Sequence, residues 1–434
     1  MSSKIKRTCA FFTFGCKVNQ YETQLMREEF LANGFVETEE SPVFLIVNGC
    51  TITSRADKKC SSLLKNLSRK NPKAKIILTG CYAQNTKASK VKPNGISCII
   101  PQDQKKSVYG MIEREFGEIL EDNNAAVSRG DRVNGLEKGI SDFTSHNRAF
   151  VKIQDGCDNF CSYCIVPHVR GEPRSRTMKE IVSEVKLLSE KGFKEIVLCG
   201  INLGAWGREF KERRQVRDLI EELNLLPDLK RLRLSSIELK CVTDTLIDKF
   251  SEDSKLCRHL HIPLQSGDSF ILKKMNRDYS AREYLDKINL IRSKLKDISF
   301  TTDIMVGFPG ETDEHFNNTL DLVKNTGFTR VHVFTFSPRR GTSAARMGHQ
   351  IDACIKKHRR LLLEDAAVRT SFALRQKLLN KELSVLFEEK ENDCWCGYSD
   401  TYVYVKVRTD KDLGNTIKKV KVSEVNITDT MATV

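Results

Sequence analysis

The stretch Gly156-Cys157-Asp158-Asn159-Phe160-Cys161-Ser162-Tyr163-Cys164 decides how this chain is read. Three cysteines fall within eight residues, with three and then two residues between them. That spacing puts three thiols on one tight loop, close enough to grip a single metal centre. Thiolates are soft ligands that suit iron–sulfur clusters and zinc. A 4Fe–4S cluster normally takes four thiolates, so three would leave one iron open to a ligand other than protein. Zinc is the rival, because His168 lies four residues past Cys164 and would complete a Cys3His set.

From Ala149 the chain around this loop alternates strand and helix patterns. Strands are expected at 149–154, 195–199, 231–235, 258–262, 299–306 and 330–336. Helical periodicity separates them at 178–191, 216–223, 243–250, 281–295 and 312–325. Six such units fit an open or partial β/α barrel, whose active site lies where the strands end. The cysteine loop follows the first strand and so belongs at that mouth. Polar residues follow the later strands: Asn202, then Ser236 and Glu238, then His261 and Gln265, then Gly307 to Glu311, then Ser337 to Arg340.

Upstream, strands at 8–14, 43–47 and 76–78 alternate with helices at 19–33 and 56–70, which implies a parallel α/β sheet. Leu25, Phe30 and Leu31 are expected on the buried side of the first helix. Each strand ends in Gly-Cys: Gly15-Cys16, Gly49-Cys50 and Gly80-Cys81. Ligands of parallel sheets gather beyond the carboxyl ends of the strands. The three thiols should therefore converge, although 34 and 31 residues separate them. Cys9, Cys60 and Cys98 lack this placement and read as structural.

Residues 116–147 are polar, with Glu121-Asp122-Asn123-Asn124 and Gly130, Gly135 and Gly139, and read as a linker. Past Gly341 a basic helix is expected over 352–380, carrying Lys356, Lys357, Arg359, Arg360, Arg369, Arg375 and Lys377. It is either a solvated face or a phosphate-contacting one. Beyond it, strands at 383–388, 400–407, 416–419 and 420–425 suggest a small all-β barrel. There Tyr402 and Tyr404 alternate onto one face that would stack bases or pack the barrel. Cys394 and Cys396 flank Trp395 on one side of a strand, with no third ligand nearby.

The chain carries 71 Lys and Arg against 57 Asp and Glu, a formal net charge of +14. Such a balance favours a polyanionic partner, nucleic acid first. Fifteen scattered cysteines without a secretory signal read as reduced thiols and metal ligands. Lys4, Lys6 and Arg7 precede Ala10-Phe11-Phe12, but no long apolar region follows. No run approaches the roughly 18 apolar residues of a membrane span. A cytoplasmic protein without a membrane partner is expected.

Cys157-x3-Cys161-x2-Cys164 resembles the signature of the radical S-adenosylmethionine (SAM) superfamily. With the earlier cysteines, the whole chain resembles the radical SAM methylthiotransferases. Gly15-Cys16-Lys17-Val18-Asn19-Gln20-Tyr21-Glu22-Thr23, Ala56-Asp57-Lys58-Lys59, Gly80-Cys81-Tyr82-Ala83-Gln84 and Ser235-Ser236-Ile237-Glu238 are similar to the MtaB-type branch. The resemblance implies an N-terminal auxiliary-cluster domain at 1–115 and a linker at 116–147. It also implies a radical SAM domain at 148–370 and a TRAM-like RNA-binding domain at 371–434.

It further implies two 4Fe–4S clusters, one on Cys157, Cys161 and Cys164 and one on Cys16, Cys50 and Cys81. Asn202, Ser236 and Glu238 would hold SAM, while His261 and Gln265 line the space beside the radical. The reaction implied is methylthiolation of C2 of N6-threonylcarbamoyl-adenosine next to the anticodon in a tRNA stem-loop. An electron donor such as flavodoxin or ferredoxin, and a sulfur source, would be needed. Other branches act on isopentenyl-adenosine in tRNA or on an aspartate of a ribosomal protein. A zinc-stabilised RNA-binding module is the non-enzyme alternative. Two positions depart from the family pattern: Gly49, where Thr is usual, and Asp268, where Ser is usual.

Overall fold

The computed structural model describes residues 6–89, 94–117, 120, 139–143, 147–252 and 255–434. Most of the expected linker, including Glu121 to Asn124, Gly130 and Gly135, lies outside the described residues.

β1 (Thr8–Thr13), β2 (Val36–Glu37), β3 (Phe44–Gly49), β4 (Lys75–Thr79) and β5 (Cys98–Ile100) pair in parallel in the order β2-β1-β3-β4-β5. Central β3 is buried on both faces, which is why Phe44-Leu45-Ile46-Val47 is an unbroken apolar run. The helix Lys17–Ala32 buries Leu25 and Phe30. Leu31, expected beside them, is 44% exposed. One residue of helix turns a side chain about 100°, and Phe30 takes the core-facing position. Thr53 caps the helix Ser54–Lys70, its hydroxyl accepting the Ala56 N–H.

The second sheet is built from β6 (Arg148–Lys152), β9 (Glu195–Cys199), β10 (Arg231–Leu234), β11 (His259–His261), β12 (Ser299–Val306) and β13 (Arg330–Thr335). The short antiparallel pair β7 (Gln154–Asp155) and β8 (Arg174–Ser175) lies beside it in sequence. The orders β10-β9-β6 and β11-β12-β13 are joined by parallel bridges Leu232 to Leu256 and Ser236 to His261. The result is an arc of six parallel strands, the partial barrel expected. One apolar core fills it, from Val151 and Leu198 to Tyr284 and Phe328.

The C-terminal segment closes into a barrel of β14 (Glu382–Glu391), β15 (Cys394–Ser399), β16 (Tyr404–Arg408), β17 (Ile417–Val425) and β18 (Thr430–Thr433), in the order β14-β15-β16-β18-β17. Closure leaves no free sheet edge. The stretches 416–419 and 420–425 are one strand, irregular between Val422 and Glu424, rather than two. Tyr402 takes a left-handed φ of 63° in the turn before β16, so it lies outside the strand in which alternation with Tyr404 is expected. Its ring lies between His259 at 4.5 Å and Tyr398 at 4.8 Å, packed rather than presented to bases.

That stack belongs to a clamp at the N-terminal end of the arc. Glu195 is fully buried and accepts from Arg233 at 2.6 and 3.1 Å, with Arg231 at 3.6 Å and Arg148 at 3.9 Å. The same arginines hold the small barrel. Arg231 donates to the Ser384 carbonyl, Arg233 to those of Ser399 and Asp400, and Arg148 to the Glu388 carboxylate. The helix Ala353–Gln376 adds Arg375, which donates to the carbonyls of Asn426, Ile427 and Asp429. Arg359 of that helix is buried against Glu311. Two of its expected surface cations are therefore structural, not phosphate contacts.

Removing one partner of a buried ion network leaves the others desolvated and unanswered, at about 3–5 kcal/mol. Glu195→Ala should cost on the order of 3 kcal/mol and loosen the small barrel first. Thermal unfolding with limited proteolysis checks this; an unchanged midpoint and an uncut barrel would contradict it.

Candidate functional site

The loop 156–164 is pinned from three directions. Cys157 N–H donates to the Gly171 carbonyl at 3.0 Å, Ser162 N–H to Met275 at 2.9 Å, and Ala344 N–H to Ser162 at 2.8 Å. Gln154 braces its base: Nε2 donates to the Asp155 and Gly156 carbonyls, and Oε1 accepts the Asn202 N–H, each at 2.8 Å. The Arg277 guanidinium donates to Cys161 Sγ at 3.4 Å and is itself held by Glu238 and the Tyr279 hydroxyl. Burial pushes the Cys157 thiol up to about 11 and Cys164 up to about 12.

The N-terminal cysteines converge because their strands end side by side. A bridge joins Gly49 to Gly80. At Gly15, with φ of 100°, an added Cβ would sit 2.8 Å from Cys50 Sγ, so only glycine lets these two strand ends approach. The departure at Gly49 has a local cause. A Cβ there would meet Tyr82 Cβ at 2.7 Å and Cys60 Sγ at 3.0 Å. Cys50 and Cys81 are buried and Cys16 is exposed. Burial pushes Cys50 up to about 12 and also raises Cys81. The other departure, Asp268, caps the helix Ser269–Lys274 by accepting the Ile271 N–H at 3.0 Å.

The two triads share one short helix, Val166–Arg170, which begins two residues after Cys164. Cys81 packs on Ile165 and Val169 beside it. Arg170 Nε donates to Cys81 Sγ at 3.2 Å. Each triad thus has one sulfur beside a guanidinium, Cys81 with Arg170 and Cys161 with Arg277. Arg170 is 3% exposed and also meets Glu22 at 3.0 Å and Asp155 at 2.8 Å. Lys105 and Lys152 reach the same Glu22 at 2.6 and 3.0 Å. Arg339 adds a second tie, from the end of β13 to Thr51 at 2.7 Å and Asp57 at 2.6 Å.

Buried thiols with raised pKa need a strong positive partner to ionise, and a coordinated metal supplies one. Among the described residues, no three His, Cys, Asp or Glu side chains close around a single-ion position. His168, the fourth ligand of the zinc reading, is exposed while its neighbours Pro167 and Val169 are buried. With His168 turned to solvent, the Cys157, Cys161 and Cys164 loop lacks the fourth ligand of a zinc site among the described residues, and three thiolates suit a cluster with one iron free of protein.

The remaining expected site residues divide. Asn202 and Gln265 are buried at the mouth, and Asn202 Oδ1 and Gln265 Oε1 have no hydrogen-bond partner. Buried acceptors left unpaired await a donor, as the ammonium and hydroxyls of SAM would supply. Gln265 also holds a left-handed φ of 68°, a strain kept at functional sites. Ser236 and His261 line a cavity of about 420 Å³ inside the arc, with Ser235, Thr301 and Asp303. His261 is fixed by Thr301 at 2.8 Å and Asp303 at 3.1 Å. Glu238 faces Arg277 instead. The strand ends 307–311 and 337–340 serve packing: Glu311 holds Arg359, and Ser337 meets Ser54. Cys394 and Cys396 gain no metal-ligand partners among the described residues.

Sequence periodicity had not marked Gln154, Glu22, Arg170 or Arg277. Arg170, beside the apolar Val166, Pro167 and Val169, is the legible anomaly, since a charge on a buried face needs a partner.

Burial pushes the Glu22 carboxyl up, but Arg170 first, then Lys105 and Lys152, outweigh it and hold it well below the usual range. A carboxyl held low contributes stability in full above its unfolded value of about 4.3, and loses it as pH falls through the folded value. The domain contact should therefore persist down to about pH 4. Arg170→Gln removes the largest opposing charge, so the acid transition should move to higher pH, and stability at neutral pH should drop by about 3 kcal/mol. Thermal unfolding across the acid range reads this; an unmoved transition would count against the network.

Two family models match: the Radical SAM superfamily over residues 151–323 and the Uncharacterized protein family UPF0004 over 8–113. The chain is 36% identical over 425 residues to the threonylcarbamoyladenosine tRNA methylthiotransferase MtaB of Bacillus subtilis, covering 96% of this chain and 93% of the relative. It is 34% identical to the tRNA-2-methylthio-N(6)-dimethylallyladenosine synthase of Aquifex aeolicus, covering 94% of each. Among solved structures, the radical SAM methyltransferase TsrM from Kitasatospora setae matches with a TM-score of 0.55 at 14% identity, over 79% of this chain and 77% of that one. That last likeness concerns fold alone. With both domains matched and full-length relatives above 30% identity, the chain belongs to the radical SAM methylthiotransferase family.

Proposed function

We propose that this enzyme methylthiolates C2 of N6-threonylcarbamoyl-adenosine next to the anticodon of tRNA, using SAM and two 4Fe–4S clusters. The observation that carries the two-cluster reading is the shared helix, with Cys81 packed where the loop of Cys157, Cys161 and Cys164 ends. Cys157, Cys161 and Cys164 would hold one cluster, and Cys16, Cys50 and Cys81 the other. A cluster with an iron free of protein, together with SAM, supplies a carbon radical able to take hydrogen from an unactivated ring carbon.

The chain's own residues bind and orient. Gln154 and the backbone ties of 156–164 fix the first loop. Arg277 and Arg170 place positive charge beside one sulfur of each triad, which lowers the cost of carrying anionic centres in a low-dielectric site. Asn202 and Gln265 offer unpaired acceptors for SAM, with Ser236, Glu238 and His261 on the same side of the arc. The seam between the sheets is tied by Glu22 and Arg339, which hold the two triads in register.

The substrate follows from the relative in Bacillus subtilis and from the motifs around Cys16, Cys81 and Ser236. The +14 charge and the five-stranded barrel suit a tRNA stem-loop. No helix among the described residues is long and apolar enough to cross a membrane. The enzyme would act in the cytoplasm, with a small electron carrier such as flavodoxin or ferredoxin and a sulfur source. The second reading is the dimethylallyl-adenosine substrate, favoured by the relative in Aquifex aeolicus.

Alanine at Cys157, Cys161 or Cys164 should abolish both SAM cleavage and product. Alanine at Cys16, Cys50 or Cys81 should abolish product and spare cleavage. Nucleoside mass spectrometry and 5′-deoxyadenosine release read the two separately. Methylthiolated tRNA from the N-terminal triple variant would refute the assignment, and loss of the dimethylallyl product alone in a deletion strain would select the second reading.

A further inference from the structure

The 420 Å³ cavity inside the arc is within the range of small-ligand sites and is capped from the N-terminal sheet by Lys17, Ile52 and Thr53. Most of its charged groups have direct partners. Arg233 is answered by Glu195, and Arg148 by Glu388. Asp303 accepts from His261; burial pushes its carboxyl up, but that bond and the charges of His261, His332 and Lys17 around the cavity outweigh burial and hold it low. Burial pushes His259 and His332 below their ordinary values, so neither adds a standing charge at neutral pH. Lys17 remains. Its ammonium has no hydrogen-bond or carboxylate partner among the described residues; its one recorded contact is the Phe150 ring at 5.9 Å. It is half-buried, at the first residue of the helix Lys17–Ala32 and one residue past Cys16.

A half-buried ammonium that faces a cavity without a direct hydrogen-bond or ion-pair partner can take one from a ligand. The threonylcarbamoyl group carries a carboxylate; a dimethylallyl group is apolar and carries none. We propose that Lys17 is a specificity-determining residue that pairs with the carboxylate of the threonylcarbamoyl substituent, so that the cavity selects an N6 group ending in an anion. The inference rests on the threonylcarbamoyl-adenosine reading above. It works in both directions. A carboxylate gains a charge-assisted hydrogen bond. An apolar substituent in the same place would strand Lys17 without water or partner, and sites built for a polar group reject analogues that lack it. The helix start at Lys17 adds favourable N–H groups for the same anion.

The test uses reconstituted holoenzyme and two anticodon stem-loop RNAs. One carries threonylcarbamoyl-adenosine. The other carries its threonine-amide analogue, which keeps the shape and one acceptor oxygen but removes the charge. Wild type should prefer the carboxylate RNA by about 10- to 100-fold in Kd and in kcat/KM. Lys17→Met should bring the two RNAs to near parity, chiefly by weakening the carboxylate RNA, and Lys17→Arg should keep part of the preference. SAM affinity, measured in parallel, should change little. Three results would overturn the proposal: no preference in wild type, a preference kept in Lys17→Met, or a variant that loses SAM binding with its RNA preference intact, which would assign Lys17 to the SAM carboxylate. Because the first arm needs only wild type, a misfolded variant does not protect the idea. If wild type turns over dimethylallyl RNA and ignores threonylcarbamoyl RNA, the substrate reading fails and this inference with it. If threonylcarbamoyl RNA is turned over with no Lys17 dependence, only the inference fails.

Discussion

Arg170 is a charge in a place where charges are expensive, and the N-terminal domain and the barrel meet on it. Its guanidinium is shared by Glu22 of the first sheet's helix, Asp155 of the barrel and the Cys81 sulfur. Burying such a network is weak evidence for stability, since an apolar contact of equal volume often does as well. Its value is positional. An apolar seam can slide, whereas a guanidinium with directional partners on both sides has few alternatives. Cys81 is thereby held against the helix that follows Cys164, and the distance between the triads is set by hydrogen bonds and not by the linker.

The clamp at the opposite end of the arc follows the same logic. Glu195 sits among three arginines; Arg231 and Arg233 also reach carbonyls of the small barrel, and Arg148 reaches its Glu388 carboxylate. A domain of about fifty residues buries little surface and is marginal alone. Docked through Arg148, Arg231 and Arg233, with Tyr402 stacked on His259, it becomes the floor of the enzyme. This explains why Tyr402 is not a base-stacking platform, although its alternation with Tyr404 suggests one.

How much the sequence disclosed depends on whether the signal is local. The Gly-Cys ends of β1, β3 and β4 announce themselves, because convergence of strand ends is a property of parallel sheets and glycine is what close approach requires. The β/α alternation gives the arc, since period 2 and period 3.6 are written into consecutive residues. Pairings across hundreds of positions are not. Nothing near Glu22 indicates Arg170, and nothing near Glu195 indicates Ser399. The strand at Cys394-Trp395-Cys396 is legible and forms the start of β15, whereas β18 escapes notice because its four residues carry little aliphatic alternation. Lys17 is plain in the sequence as a lysine beside a cysteine; only the cavity it lines shows that it lacks a direct partner among the described residues.

The most direct test of the whole account is an iron and sulfide count, with Mössbauer spectra, on anaerobically reconstituted protein. Two 4Fe–4S clusters per chain should be found in the wild type, and one in each variant lacking a complete cysteine triad. A single cluster in the wild type, or loss of both when either triad is removed, would contradict two separately held centres in one chamber.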